Sequence, residues 1–172
     1  MTQYEKLPLV NINEEKLFTR NQSLPELVYL DDPASLVMRD FNIESAHVIS
    51  AQTPINTALK EMKIHDTHVL LITDEAHHLL GVISSEDILG EKPIKIIQSR
   101  RIDRSQIYVE MVMQTTDQII LLEASTITSA KIGNIVSTLR EHDHEYALVV
   151  YKNEKNKYFE VSGLFNISQI SK

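Results

Sequence analysis

The clearest pattern along the chain is an apolar stripe that occurs twice. Ile55, Ala58, Leu59 and Met62 stand at i, i+3, i+4 and i+7, the spacing of one buried face of a helix. The stripe returns 77 residues later as Ile132, Ile135, Val136 and Leu139. The same shift carries His65-Asp66 onto His142-Asp143 and Leu71 onto Leu148. Each stripe runs into an apolar segment, His68–Thr73 in the first copy and Glu145–Val150 in the second, and each segment predicts a strand. A polar turn then leads to a second strand. In copy one, Asp74–His78 precedes Leu79–Ile83; in copy two, Tyr151–Lys157 precedes a strand through Val161 to Phe165. Gly81 corresponds to Gly163, so the second hairpin is five residues longer, a difference an exposed loop absorbs.

Local signals extend both units. Ser84 is placed to cap a short helix over Ser85–Leu89, with Glu86 and Asp87 in its first turn and Gly90 and Pro93 as stop signals. Thr53 is the expected cap of the first striped helix, with Pro54 at its first position. One further strand precedes each striped helix, at Ala46–Ser50 and Ile119–Leu122. Glu123–Ala130 reads as a polar loop or as an early helix turn. The divisions are an N-terminal arm over residues 1–35, a first repeat over 36–90, a linker with a helix at Pro93–Ile97 over 91–108, and a second repeat over 109–172. The arm carries Pro8, Pro25 and Pro33 without a sustained period, as an extended segment laid over the domain or a mobile tail would. Each repeat reads β-α-β-β-α and is marginal alone, so two stacked sheet to sheet in an α/β pseudo-two-fold unit are expected.

Composition narrows the function classes. With 42% hydrophobic and 24% charged residues and no cysteine in 172 residues, collagenous, disordered and disulfide-framework proteins are excluded, and so are thiol nucleophiles. A net charge of −7 argues against nucleic-acid binding through an overall field. There is neither a signal-type leader nor an apolar run of about 20 residues, so a cytoplasmic protein without a membrane partner is expected. Seven histidines raise the question of a metal, but His77-His78 lie in a turn and the His-Asp pairs recur at equivalent helix ends, where a histidine complements the dipole. No metal site and no required cofactor is expected. No phosphate-cradling glycine loop, nucleophile elbow or metalloprotease motif occurs, and a catalytic site is not expected either. Lys92, Lys95, Arg100, Arg101 and Arg104 form a basic run in the linker, read as a phosphate-facing patch or, more commonly, a solvated helix face.

Within this frame, Gly81-Val-Ile-Ser-Ser-Glu-Asp-Ile88 resembles the signature of a cystathionine-β-synthase (CBS) domain: Gly, two apolar residues, Ser or Thr, two variable residues, Asp, apolar. The pairs Val37-Met38 and Val112-Met113 stand where that family often has Val-Met. The resemblance spans roughly residues 36–172 and is to a stand-alone tandem pair, a bacterial Bateman module. It implies a cleft between the repeats that takes AMP, ADP, ATP or S-adenosylmethionine. Carried over, Asp87 accepts from the ribose hydroxyls and Ser84 approaches the phosphate, while Ile49, Ser50, Val69 and Leu70 form the adenine wall. A carboxylate facing a vicinal diol and a hydroxyl at a helix start are chemically apt for those roles.

Copy two departs from the signature, with Asn166 at the hydroxyl position and Gln169 where the acid belongs. An amide there loses the charge-assisted hydrogen bond, so the second site is expected to be degenerate and the chain to hold one ligand. Without a ligand, Ser84 and Asp87 read simply as a helix cap and a supporting first-turn acid. The leading expectation is a regulatory module that senses an adenosine-containing ligand, forms a homodimer and signals to an effector protein the sequence does not name. The alternative is an interaction protein with no nucleotide ligand, acting through its dimer surface.

Overall fold

A computed structural model describes residues 27–155 and 158–170. Its strands are β1 (Arg39–Asp40), β2 (Val48–Ser50), β3 (Val69–Thr73), β4 (Leu79–Ser84), β5 (Gln114–Thr115), β6 (Ile120–Glu123), β7 (Tyr146–Lys152) and β8 (Phe159–Asn166). Between them lie α1 (Ile55–Ile64), α2 (Ser85–Leu89), α3 (Glu91–Arg100), α4 (Ala124–Ile127), α5 (Ile132–Glu141) and, at the end, α6 (Ile167–Ile170). The strands form two four-stranded sheets, ordered β2-β3-β4-β5 and β1-β8-β7-β6. Within each repeat the strand before the striped helix runs parallel to the strand after it, and the hairpin is antiparallel.

Each sheet is completed by a strand from the other repeat. β1, at the start of the first repeat, pairs with β8, and β5, at the start of the second, pairs with β4. This exchange explains the repeated glycine. A Cβ on Gly81 would collide with the carbonyl oxygen of Gln114 on β5, and one on Gly163 would lie 2.9 Å from Met38 Sδ and 3.1 Å from the Arg39 carbonyl oxygen. Glycine lets the exchanged strand come to hydrogen-bonding distance.

Burial on β3 follows from the layering. Val69 and Leu71 join Val82, Tyr146, Leu148 and Leu164 in a core between the two sheets. Leu70 and Ile72 face the other way, into a core with Ile55, Ala58 and Met62 of α1 and Ile83 and Ile88. The matching core of the second repeat gathers Ile132, Ile135, Val136 and Leu139 around Ala147, Val149 and Phe165. A strand covered on both faces reads as an unbroken apolar run, as both inner strands do.

Several local expectations are corrected. Thr53 does not cap α1: Pro54 takes the cap position, without a side-chain hydrogen bond, and the Ile55 N–H donates instead to the Ile107 carbonyl at 3.0 Å. The chain leaving the linker therefore supplies what a capping side chain would. Pro93 does not stop a helix but sits in the first turn of α3, where its missing N–H costs no intrahelical bond. Glu123–Ala130 contains α4, with Ile127 buried against α5. The repeated His-Asp pair also gains a backbone reason. His65 and His142 are the C-caps, and Asp66 and Asp143 follow in the left-handed region at φ 49° and 54°, which aspartate tolerates better than most residues.

Residues 1–26 of the expected arm lie outside the described residues. Its last part docks on the start of α5, where the Ile132 and Gly133 N–H groups donate to the carbonyls of Asp32 and Leu30 at 2.9 and 2.8 Å. Leu30 to Asp32 thus supply acceptors to a helix start whose N–H groups have none within the helix.

Candidate functional site: the cleft between the repeats

β4 ends at Ser84, and the chain turns directly into α2. The Ser84 hydroxyl accepts the Asp87 N–H at 3.1 Å, and Asp87 Oδ2 accepts the Ser84 N–H at 3.0 Å, a reciprocal capping box. The hydroxyl also donates to the same oxygen at 3.1 Å. Asp87 Oδ1 receives Lys92 Nζ at 2.6 Å, and that ammonium reaches the Val112 carbonyl at 3.2 Å. Ser84 is 2% and Asp87 6% exposed, yet both border an open cleft.

The cleft has a volume of about 690 Å³, within the range of small-molecule sites. Its first wall is Ser84, Glu86 and Asp87 of repeat one, with Glu91, Lys92 and Lys95 of α3. Facing them are Leu139 and Arg140 at the end of α5, then Asp143, His144, Glu145 and Tyr146 as the chain enters β7; Gln114 and Ile167 complete the lining. Burial raises the Glu145 carboxyl above its ordinary range, and Glu86 and Asp87 push in the same direction. The Tyr146 phenol is raised strongly, first by burial and then by Asp87, Glu145 and Glu86. This arrangement can accept hydrogen bonds from hydroxyls on the Asp87 side and offers cations at its rim.

A CBS domain model matches residues 37–93. Residues 37–93 are a CBS domain, and the chain has the fold of a CBS pair. That fold is shared with the CBS-domain protein ATU1752 of Agrobacterium tumefaciens, at a TM-score of 0.57 and 12% identity, covering 85% of this chain and 97% of that one. It is shared also with CBSX2 from Arabidopsis thaliana, solved in complex with AMP, at a TM-score of 0.52 and 17% identity, covering 81% and 93%. Among curated sequences, the UPF0053 protein MG146 homolog of Mycoplasma pneumoniae is 41% identical over 46 residues. That match takes in 27% of this chain and only 11% of the relative's length.

Of the six ligand candidates in the first CBS repeat, the cleft brings together Ser84 and Asp87. It is not lined by the four proposed for the adenine wall. Val69 and Leu70 are successive strand residues, so one faces the core between the sheets and the other the helices. Ile49 packs on the core beneath α1. Ser50 pairs with Thr73, four residues along β3 from the Val69–Ser84 pair and thus about 13 Å away. Sequence reasoning missed the whole opposite wall, and Tyr146, Glu145 and Gln114 with it. The 77-residue offset was the available signal, because it places His144-Glu145-Tyr146 over Thr67-His68-Val69 at the mouth of the equivalent strand.

The second repeat is built differently at the matching place. Asn166 Oδ1 caps α6 by accepting the Ser168 N–H at 3.0 Å and its hydroxyl at 2.8 Å. The side chain of Gln169 lies outside the described residues. Arg39 on the exchanged strand β1 holds the position equivalent to Gln114; its Nη1 donates to Thr67 Oγ1 at 2.6 Å and its Nε to Glu44 at 2.9 Å. The basic linker run is likewise divided: Lys92 and Lys95 border the cleft, whereas Arg104 donates to the Ile88 carbonyl at 2.9 Å and to Asn56 at 3.1 Å. Among the described residues no group of three or more His, Asp or Glu side chains is placed to hold a metal, and no helix is long and apolar enough to cross a membrane.

Proposed function

We propose that this chain is a non-catalytic regulatory module that binds an adenosine-containing ligand in the cleft between its CBS repeats and passes the bound state to a partner protein. The observation that carries this reading is the placement of Ser84 and Asp87 on one wall of an open cleft between the repeats. Asp87 would accept from the ribose hydroxyls and Ser84 would approach a phosphate or its equivalent. Lys92 supports the assignment, since its ammonium holds Asp87 Oδ1 and fixes the orientation of that carboxylate at the cleft wall. The AMP complex of CBSX2 supports the ligand class for a protein of this fold. A cytoplasmic homodimer belongs to the same proposal.

A second reading rests on a specific observation: the capping box and Lys92 use both oxygens of Asp87 without any ligand. In that case the module acts through its surfaces alone, and Asp87 is structural. Thermal unfolding with AMP, ADP, ATP, adenosine and S-adenosylmethionine separates the two. At a ligand concentration near 100 times its dissociation constant, binding adds about 2.7 kcal/mol, or roughly 5–10 °C for a chain of this size. The absence of a shift with every one of these ligands would replace the nucleotide reading with the interaction reading.

A further inference from the structure

Tyr146 opens β7 with its ring in the core between the sheets, 3% exposed. Its hydroxyl is buried and has no hydrogen-bond partner among the described residues, although Tyr146 borders the cleft. Buried hydroxyls are rarely left this way. Burial and the neighbouring carboxylates of Asp87, Glu145 and Glu86 keep the phenol protonated, so the hydroxyl stays available to a ligand as donor and acceptor.

The cations of the cleft are largely spoken for. Lys92 pairs with Asp87 at 2.6 Å and Lys95 with Glu91 at 3.0 Å. Glu86, Asp143 and Glu145 then face Arg140 alone among strong cations, a surplus of negative charge in a partly desolvated space. We propose that the cleft selects among adenosine derivatives by charge, seating a neutral or positively charged one on the Tyr146 hydroxyl in preference to a polyphosphate. This inference rests on the adenosine site proposed above. A triphosphate would bring several negative charges towards carboxylates that already repel one another, whereas a sulfonium or an uncharged nucleoside gains from them or is indifferent.

The test is titration calorimetry of the full chain with adenosine, S-adenosylmethionine, AMP and ATP, at low and high salt. At low salt, adenosine and S-adenosylmethionine are expected to bind at least about tenfold more tightly than ATP, with AMP between them. The gap is expected to shrink at about 0.5 M salt, because screening acts on the charge interaction. Glu145→Gln is expected to raise ATP affinity relative to adenosine about three- to tenfold. Tyr146→Phe is expected to weaken every ligand about fivefold or more while melting, without ligand, at or above the wild-type temperature, since an unpartnered hydroxyl is removed. ATP binding most tightly, or a ligand order that neither salt nor Glu145→Gln alters, overturns charge selection and leaves the adenosine site standing. Wild-type affinities in Tyr146→Phe overturn the role of the hydroxyl. No binding by any of the four overturns the inference together with the site it rests on.

Discussion

Replacing Asp87 by alanine tests how much of the cleft wall is held by one side chain. The carboxylate satisfies the buried Ser84 N–H at 3.0 Å and holds Lys92 Nζ at 2.6 Å. Asp87→Ala leaves that N–H without its acceptor, which costs about 1–3 kcal/mol. The ion pair adds little, because Lys92 is 49% exposed and water can take over its solvation. The expected total is about 1.5–3 kcal/mol, more than the roughly 0.3–1 kcal/mol of a first-turn acid acting only through the helix dipole. For 172 residues, about 2–4 °C per kcal/mol gives a fall in melting temperature of roughly 3–12 °C. Asp87→Asn retains an acceptor for the N–H and is expected to lose less than half as much. Calorimetric melting of both variants without ligand checks the argument. An Asp87→Ala protein that melts within 1 °C of wild type would refute it, because the capping box could not then be supporting the turn from β4 into α2.

Further outcomes are expected elsewhere. Gly81→Ala places a Cβ on the Gln114 carbonyl, so β5 must shift; denaturant titration should show a loss of about 1–3 kcal/mol. Burial, His65 and Arg39 lower the His47 pKa against an upward pull from Glu44, and its ring stacks on His65 at 4.0 Å between centroids. The folded state therefore binds fewer protons there than the unfolded state. Stability should fall as pH drops through about 6.5, and His47→Gln should flatten that slope in melts between pH 7.5 and 5.5. With Arg39 bonded to Thr67 and Glu44 at the position equivalent to Gln114, and Asn166 committed to capping, calorimetry should give one ligand per chain; two comparable sites would contradict this.

What could be read from sequence divides along physical lines. The striped helices and inner strands declare themselves because ten-residue helices and five- to seven-residue apolar strands carry several turns of a period. The Ser84 cap is equally legible, since both members of the box lie three residues apart. β1 and β5 are two residues each, too short for any alternation, and their exchange between sheets is set by long-range pairing alone. The lining of the cleft is hidden for the same reason. Val69 and Leu70 share one strand, but neighbouring strand residues face opposite ways, and the wall opposite Ser84 and Asp87 comes from the other repeat at Leu139 to Tyr146. No local pattern announces that a helix end and a strand mouth between fifty and sixty residues downstream of Asp87 will face it.

The most direct test of the central claim is amide hydrogen exchange of the protein with and without a saturating adenosine ligand. A ligand between the repeats is expected to slow exchange on both walls together, from Ser84 to Lys92 and from Leu139 to Tyr146, and to leave the Ser50–Pro54 turn at the other end of the first sheet unchanged. Protection confined to one wall, or centred on Ser50–Pro54 instead, would contradict a binding site in this cleft.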